Sequence, residues 1–285
     1  MNVQVIQVPY DSGNRGLRMG GGPEHFVQNG LVQALQASGH HVSVETIESQ
    51  SAFRAEVQTQ FELYRAVAGR VADVKRNGQF PLILSGNCGA SLGAIASNGG
   101  KRQGVVWFDA HGEFNTPETT TSGFLDGMGL AVATGLCWQR LAASLPGFHP
   151  ISGKQILLIG GRDFDDGERE RLEQAGGDVI DAAAVGQSRI PNVLQPSIAA
   201  FQTNVDEMHL HLDLDVLNPK EVVANQYATG DQGMSVAQVG EAIQYFKDHL
   251  TLTSATVASF DPTFDPEGKT LKAGIRLIEQ IVNND

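Results

Sequence analysis

Five short apolar runs each break off in small or polar residues: 80–84 before SGNCG, 104–108 before DAHGE, 155–159 before GGRDFD, 208–212 before DLDVLNP and 255–260 before DPTFD. Runs of this length, rich in Val, Ile, Leu and Phe, are what strands covered on both faces require. Residues 22–37, 61–76, 91–96, 167–175 and 235–249 pattern as helices between them. The alternation predicts an α/β fold with right-handed crossovers, a mostly parallel sheet and helices on both faces. Ligands gather beyond the carboxyl ends of such strands, where the polar clusters fall. No repeat, low-complexity tract or linker divides the chain, so one domain over residues 1–285 is expected, a length within the range of single α/β domains. The Thr- and Gly-rich stretch 114–129 is the expected substrate loop.

The polar clusters carry specific chemistry. Asp109, His111 and Glu113 are spaced two apart, so an extended backbone points all three to one face. Asp213 and Asp215 repeat the spacing after another strand, with His209 and His211 upstream on the same parity. Carboxylates gathered this way repel one another and are costly to desolvate unless a cation joins them. A lone DxD is as often a cap or turn, but DxHxE together with DxD points to one or two divalent metal ions. His209 and His211 extend their strand upstream and are expected to be core or loop residues. Within its own segment, Cys88 reads as a small buried thiol in a tight turn, and Cys137 beside Trp138 reads as core.

Charge narrows the partners. Lys and Arg number 20 against 32 Asp and Glu, a net −12, and no basic run offers a phosphate-backbone contact, which argues against nucleic acid. Two cysteines in a long chain are no disulfide scaffold, so a reducing, cytoplasmic location is expected. Residues 1–10 alternate apolar with polar and lack the basic and apolar regions of a signal peptide. No stretch reaches the roughly 18 apolar residues of a membrane span.

The segment WFDAHGEFNTPETTTSGFLDGMG resembles the central motif of the arginase (ureohydrolase) family, WxDAHxDxNTPxTxxSGNxHGMP. HLDLDVLNP is similar to the family's SxDxDxxDP, SGNCGASLG to GGDHSLAxG, and GGRDFDDGE to GxRDxDxGE. FDPTFDP is similar to VNPxLD and GGGPEHFVQNGL to GPxxLRxAGL, in the family's order over most of the chain. The resemblance implies the arginase-like three-layer fold and a two-ion site, manganese in the family, which activates a hydroxide to attack a guanidinium carbon and release urea. It implies that Asp109 and Asp213 bridge the ions, that His111 and Asp215 complete one ion's ligands, and that Cys88 and Glu113 complete the other's. Asn115, Thr120 and Ser122 match a loop that binds an α-carboxylate. Asp165 and Glu168 match residues around an α-ammonium, which favours an amino-acid substrate over agmatine.

Several positions depart from the pattern. The family has His at position 88 and Asp at 113. Thiolate favours softer ions, so zinc, cobalt or iron join manganese as expected cofactors, and the ion at Cys88 and Glu113 is expected to be the more weakly held. Asp126 stands where the family has a proton-shuttling histidine, and a carboxyl with a pKa of about 3.9 is a poorer proton donor at neutral pH than an imidazole at about 6.5. Ser259 replaces the glutamate that pairs with the guanidinium, and Asp261 stands where Asn is frequent. Negative charge is therefore expected to have moved from position 259 to 126, with Asp126 and His111 catalytic and Ser259 in the substrate pocket.

The expected function is metal-dependent hydrolysis of a linear amidine or guanidine, acting on arginine or a modified arginine such as N-hydroxyarginine. A weakened relative that binds an amino acid or serves as a structural subunit is one alternative. A deacetylase-like amidohydrolase is another, opposed by the NTPET loop and GGRDFD. The expected partner is a small guanidino or amidino amino acid, with no nucleic acid and no membrane. The family implies a homo-oligomer, trimer or hexamer, and the stretch beyond DPEGKT is short for a C-terminal exchange tail.

Overall fold

A computed structural model describes residues 1–51, 55–97, 102–228 and 230–283. Eight strands form its sheet: β1 Asn2–Val8, β2 His41–Thr46, β3 Phe80–Ser85, β4 Gln103–Phe108, β5 Ile156–Gly161, β6 Asp178–Asp181, β7 Glu207–Asp213 and β8 Thr251–Ala258. Their order is β2-β1-β3-β8-β7-β4-β5-β6, and every ladder is parallel. All carboxyl ends therefore lie along one edge, and β7 and β8 fill the gap between β3 and β4. The sequence pattern follows from this arrangement. Val106 and Phe108 of β4 enter the core shared with helices Leu31–Ala37, Ile190–Gln202, Val236–His249 and Lys269–Val282. Val105 and Trp107 enter the opposite core, with Glu56–Arg76, Ser91–Ala96 and Gly129–Ala133. Both faces of the central strands are covered, giving three layers.

The expected α/β architecture holds, with local differences. Residues 22–37 form two helices, Gly22–Gln28 and Leu31–Ala37, because Gly30 turns into the left-handed region at φ 109°. The helix expected from residue 61 begins at Glu56. The last apolar run stops being strand at Ala258, since Ser259 adopts φ 65°. Ser235 opens its helix with a reciprocal capping box to Gln238. Among the described residues no helix is long and apolar enough to cross a membrane.

Candidate active site

A cleft of about 500 Å³ opens over the carboxyl ends of the strands, its floor lined by Cys88, His111, Glu113, Asp126, Asp213, Asp215 and Ser259. Cys88 comes from the turn after β3, His111 and Glu113 from the segment after β4, Asp213 and Asp215 from the end of β7, and Ser259 from the residue after β8. The turn before Cys88 passes under the N-terminal segment so closely that a Cβ on Gly86 would stand 2.3 Å from the Tyr10 carbonyl oxygen. Only glycine fits there. Glu113 and Ser259 hold φ of 54° and 65°, a region costly for non-glycine residues and concentrated at functional sites.

The floor contains two groups of donor atoms that share Asp109. Ligand atoms of Asp109, His111 and Asp215 lie within 4.8 Å of one another, and those of Cys88, Asp109, His211 and Asp213 do the same. In the first group His111 Nδ1 is 3.3 Å from Asp109 Oδ1 and 3.5 Å from Asp215 Oδ2. In the second, Cys88 Sγ donates to Asp213 Oδ2 at 2.9 Å and stands 3.3 Å from Ser259 Oγ. Trp107 Nε1 donates to Asp109 Oδ2 at 2.9 Å, and the Asp215 backbone N–H donates to Asp213 Oδ1 at 2.8 Å.

Burial and mutual repulsion dominate the electrostatics. Burial pushes Cys88, Glu113 and Asp213 well above their ordinary pKa values, and neighbouring carboxylates push each further. Asp215 is raised by burial too. Burial lowers His111, but Asp215 and Asp109 outweigh it and hold the imidazole at about 10. A pocket this unfavourable to its own negative charge is one a divalent cation would relieve. Asp126 Oδ2 accepts from Asn87 Nδ2 at 2.8 Å and from the Cys88 N–H at 3.0 Å, and its Oδ1 accepts from the Gly89 N–H at 2.9 Å. Burial still raises Asp126 to about 7. A carboxyl raised in this direction is a better proton donor at neutral pH than its ordinary value of about 3.9 allows.

Asn115, Thr120, Ser122, Asp165 and Glu168 line the upper part of the same cleft. Glu168 accepts from the Phe114 N–H at 2.9 Å and the Asp165 N–H at 3.0 Å, tying the loops after β4 and β5 together. Its carboxyl crosses so close that a Cβ on Gly112 would fall 2.6 Å from Glu168 Cδ. Asp165 Oδ2 accepts from Asn115 Nδ2 at 2.9 Å, and Asn115 Oδ1 accepts from Arg171 Nη2 at 3.0 Å. Thr120 and Ser122 hydroxyls lie 3.4 Å apart. Phe124 and Tyr227, ring centroids 5.6 Å apart, form one wall.

Glu113 groups with Cys88, as expected, and with Asp126, and Asp109 and Asp213 lie close enough to push its pKa up. Two sequence expectations need amendment. Asp261 adds no charge to the cleft, because it caps the turn Pro262–Phe264 by accepting from the Thr263 N–H at 2.9 Å. His209 is a satisfied core residue, its Nδ1 2.8 Å from Ser254 Oγ and its Nε2 3.2 Å from Thr256 Oγ1, whereas His211 reaches the second donor group. The signal for His211 was in the matched motif: SxDxD has serine where this chain has His211. Glu56 also lines the cleft, and nothing in its sequence surroundings marks it. Arg162 of GGRDFD grips the floor from below, donating to the Val216 carbonyl at 3.1 Å.

A model of the Arginase family matches residues 1–283. An arginase of Brevibacillus brevis is 29% identical over 294 residues, covering 98% of this chain and 97% of its own. The arginase of Bacillus subtilis (strain 168) is 29% identical over 303 residues, covering 98% and 97%. A crystal structure of that species' arginase has a TM-score of 0.89 at 27% identity, over 100% of this chain and 99% of the other. An Entamoeba histolytica arginase in complex with L-ornithine gives 0.84 at 27% identity, over 98% and 97%. Motif order, the eight-stranded parallel sheet and the match from residue 1 to 283 agree, and the chain belongs to the arginase family, hydrolases acting on linear amidines.

Proposed function

We propose that the protein hydrolyses the guanidino group of arginine, or of a modified arginine such as N-hydroxyarginine, and releases urea or a urea derivative. One observation carries the reading: a single cleft places an acid-rich floor beneath a rim of Asn115, Thr120, Ser122, Asp165 and Glu168. A floor of metal-type donors suits the reacting end of a substrate, and a rim of amides, hydroxyls and carboxylates suits an α-amino acid end. The Entamoeba relative is described in complex with L-ornithine, which is arginine without its amidino group. The donor chemistry fits two ions. Asp109, His111, Asp213 and Asp215 offer the oxygen and nitrogen atoms manganese takes, and Cys88 adds sulphur, which favours zinc, cobalt or iron. Divalent ions bound there would supply water that loses its proton near neutral pH.

The chain's own groups do the remainder. Asp165 and Glu168 hold the α-ammonium, and Asn115, Thr120 and Ser122 the α-carboxylate. Asp126, titrating near neutrality, exchanges a proton with the departing amine. His111, its side chain 29% exposed, borders the reacting centre from the open side. Ser259 turns its hydroxyl toward Cys88, so the positive guanidinium finds its counter-charge at Asp126. The same reading takes residues 1–285 as one domain of a cytoplasmic homo-oligomer, trimer or hexamer.

The test is urea or hydroxyurea release from arginine, N-hydroxyarginine and agmatine with manganese, zinc or cobalt added. Turnover of an amino-acid substrate well above agmatine is expected, and Asp126→Asn should lower kcat/KM about 10²-fold, as loss of an acid–base group does. Unchanged kcat/KM in Asp126→Asn removes the proposed role of Asp126. Absence of turnover with every metal, alongside thermal stabilisation by arginine, would replace the hydrolase with an amino-acid-binding protein.

A further inference from the structure

His209 and His211 sit two residues apart on one face of β7, both fully buried, and their surroundings differ. Both nitrogens of His209 meet hydroxyls. His211 Nδ1 meets Ser91 Oγ at 2.8 Å, but its Nε2 is buried without a hydrogen-bond partner. A ring nitrogen of His211 lies within 4.8 Å of Cys88 Sγ and of carboxylate oxygens of Asp109 and Asp213. A buried acceptor or donor left without a partner is rare and calls for a cause.

We propose that His211 is a metal ligand, and that Cys88, Asp109, His211 and Asp213 form a four-donor site selective for zinc-like ions over manganese. The proposal rests on the two-ion reading above and deepens it by assigning the ligands and ion class of one site. One sulphur, one imidazole nitrogen and two carboxylate oxygens are a set that tetrahedral zinc accepts, with bonds of about 2.0–2.3 Å that put the donors about 3.3–3.8 Å apart. The present cluster needs only modest tightening to reach that size.

The supporting contacts are those of a held ligand rather than a filler. The His211 ring stacks on Trp107 with centroids 3.7 Å apart and planes at 25°, and the same indole donates to Asp109 Oδ2. One side chain therefore fixes two of the four donors. Ser91 fixes the ring from its far nitrogen, the arrangement that orients a metal-bound imidazole.

The experiment strips the full chain with chelator, adds one equivalent of zinc or cobalt(II), and measures metal per chain after dialysis, the cobalt spectrum and zinc-edge X-ray absorption. In His111→Ala, which removes the other floor imidazole, a sulphur at about 2.3 Å accompanied by imidazole scattering is expected. His211→Ser in the same His111→Ala background should bind zinc about ten-fold or more weakly and lose the imidazole signal while keeping sulphur. Sulphur without imidazole in His111→Ala, or unchanged zinc affinity in His211→Ser, overturns the proposal. The absorption measurement on His111→Ala decides the matter even where His211→Ser does not fold. Ions bound with no sulphur in their shell overturn this assignment alone. A wild-type chain that takes up no ion overturns the two-ion reading with it.

Discussion

The two donor groups on the cleft floor share Asp109 and little else. The His111 side is open, oxygen and nitrogen only, with the imidazole facing the cleft at its edge. The Cys88 side is the more deeply buried, with Cys88 2% exposed and His211 not at all, although Cys88 and Asp213 still border the cleft, and it includes a thiol. An open hard site suits an ion that must exchange water and meet substrate, and a buried soft site suits an ion that stays and supplies charge. The difference teaches that a shared ligand does not oblige two neighbouring sites to share a chemistry.

The strongest way to break the comparison is to remove what the two groups have in common. Asp109→Asn should lower kcat/KM about 10³-fold or more, because a metal's charge is worth several kcal/mol in the transition state, and both ions should leave on dialysis. Wild-type retention of either ion would mean that the carboxylate is not shared. His111→Ala separates the groups, with activity expected to fall about 10²-fold while a sulphur-bound ion remains. Simultaneous loss of both ions, read by elemental analysis, would merge them into one site.

The sequence made the His111 side legible and concealed one donor of the Cys88 side, His211, for a physical reason. Asp109, His111 and Asp215 follow strand ends, where period-two spacing gathers them on one side of the sheet's carboxyl edge. His211 obeys the same parity as His209, and only the tertiary placement of Ser91 and Cys88 against Ser254 and Thr256 tells them apart. The fold divides similarly. β3, β4 and β7 are buried on both faces and announce themselves as apolar runs, whereas β2 at the sheet edge reads HVSVET, largely exposed, and gives no such run. The helix Lys269–Val282, apolar on one stripe only, likewise gives no such run, since its buried residues, among them Leu277, Ile278 and Ile281, are spaced through charged neighbours.

A gentler change tests how the buried group is held. Trp107→Phe keeps a ring against His211 but deletes the N–H that Asp109 Oδ2 accepts. Outer partners of this kind typically carry 10- to 100-fold in metal affinity, so zinc binding should weaken by about that range, with manganese at the His111 side less affected. Titration with each ion measures both, and equal weakening would show that the indole serves the floor as a whole.

Cys88→His is the smallest change and the sharpest, because it alters the donor and leaves the carboxylates in place. The thiol is pushed up by burial and by Asp213, Asp126, Glu113 and Asp109 in turn, so it gives up its proton only to an ion that bonds sulphur well. An imidazole needs no such deprotonation and suits manganese better than thiolate does. Manganese retention after dialysis should therefore rise several-fold, and the sulphur contribution to the cobalt spectrum should vanish. The larger ring must displace the contacts Cys88 makes with Asp213 and Ser259, at an overpacking cost of about 1–3 kcal/mol in the metal-free protein, which thermal unfolding reads separately from metal uptake. If manganese retention stays at the wild-type level while the variant folds, the softness of the buried side does not come from its sulphur, and the contrast between the two groups reduces to exposure alone.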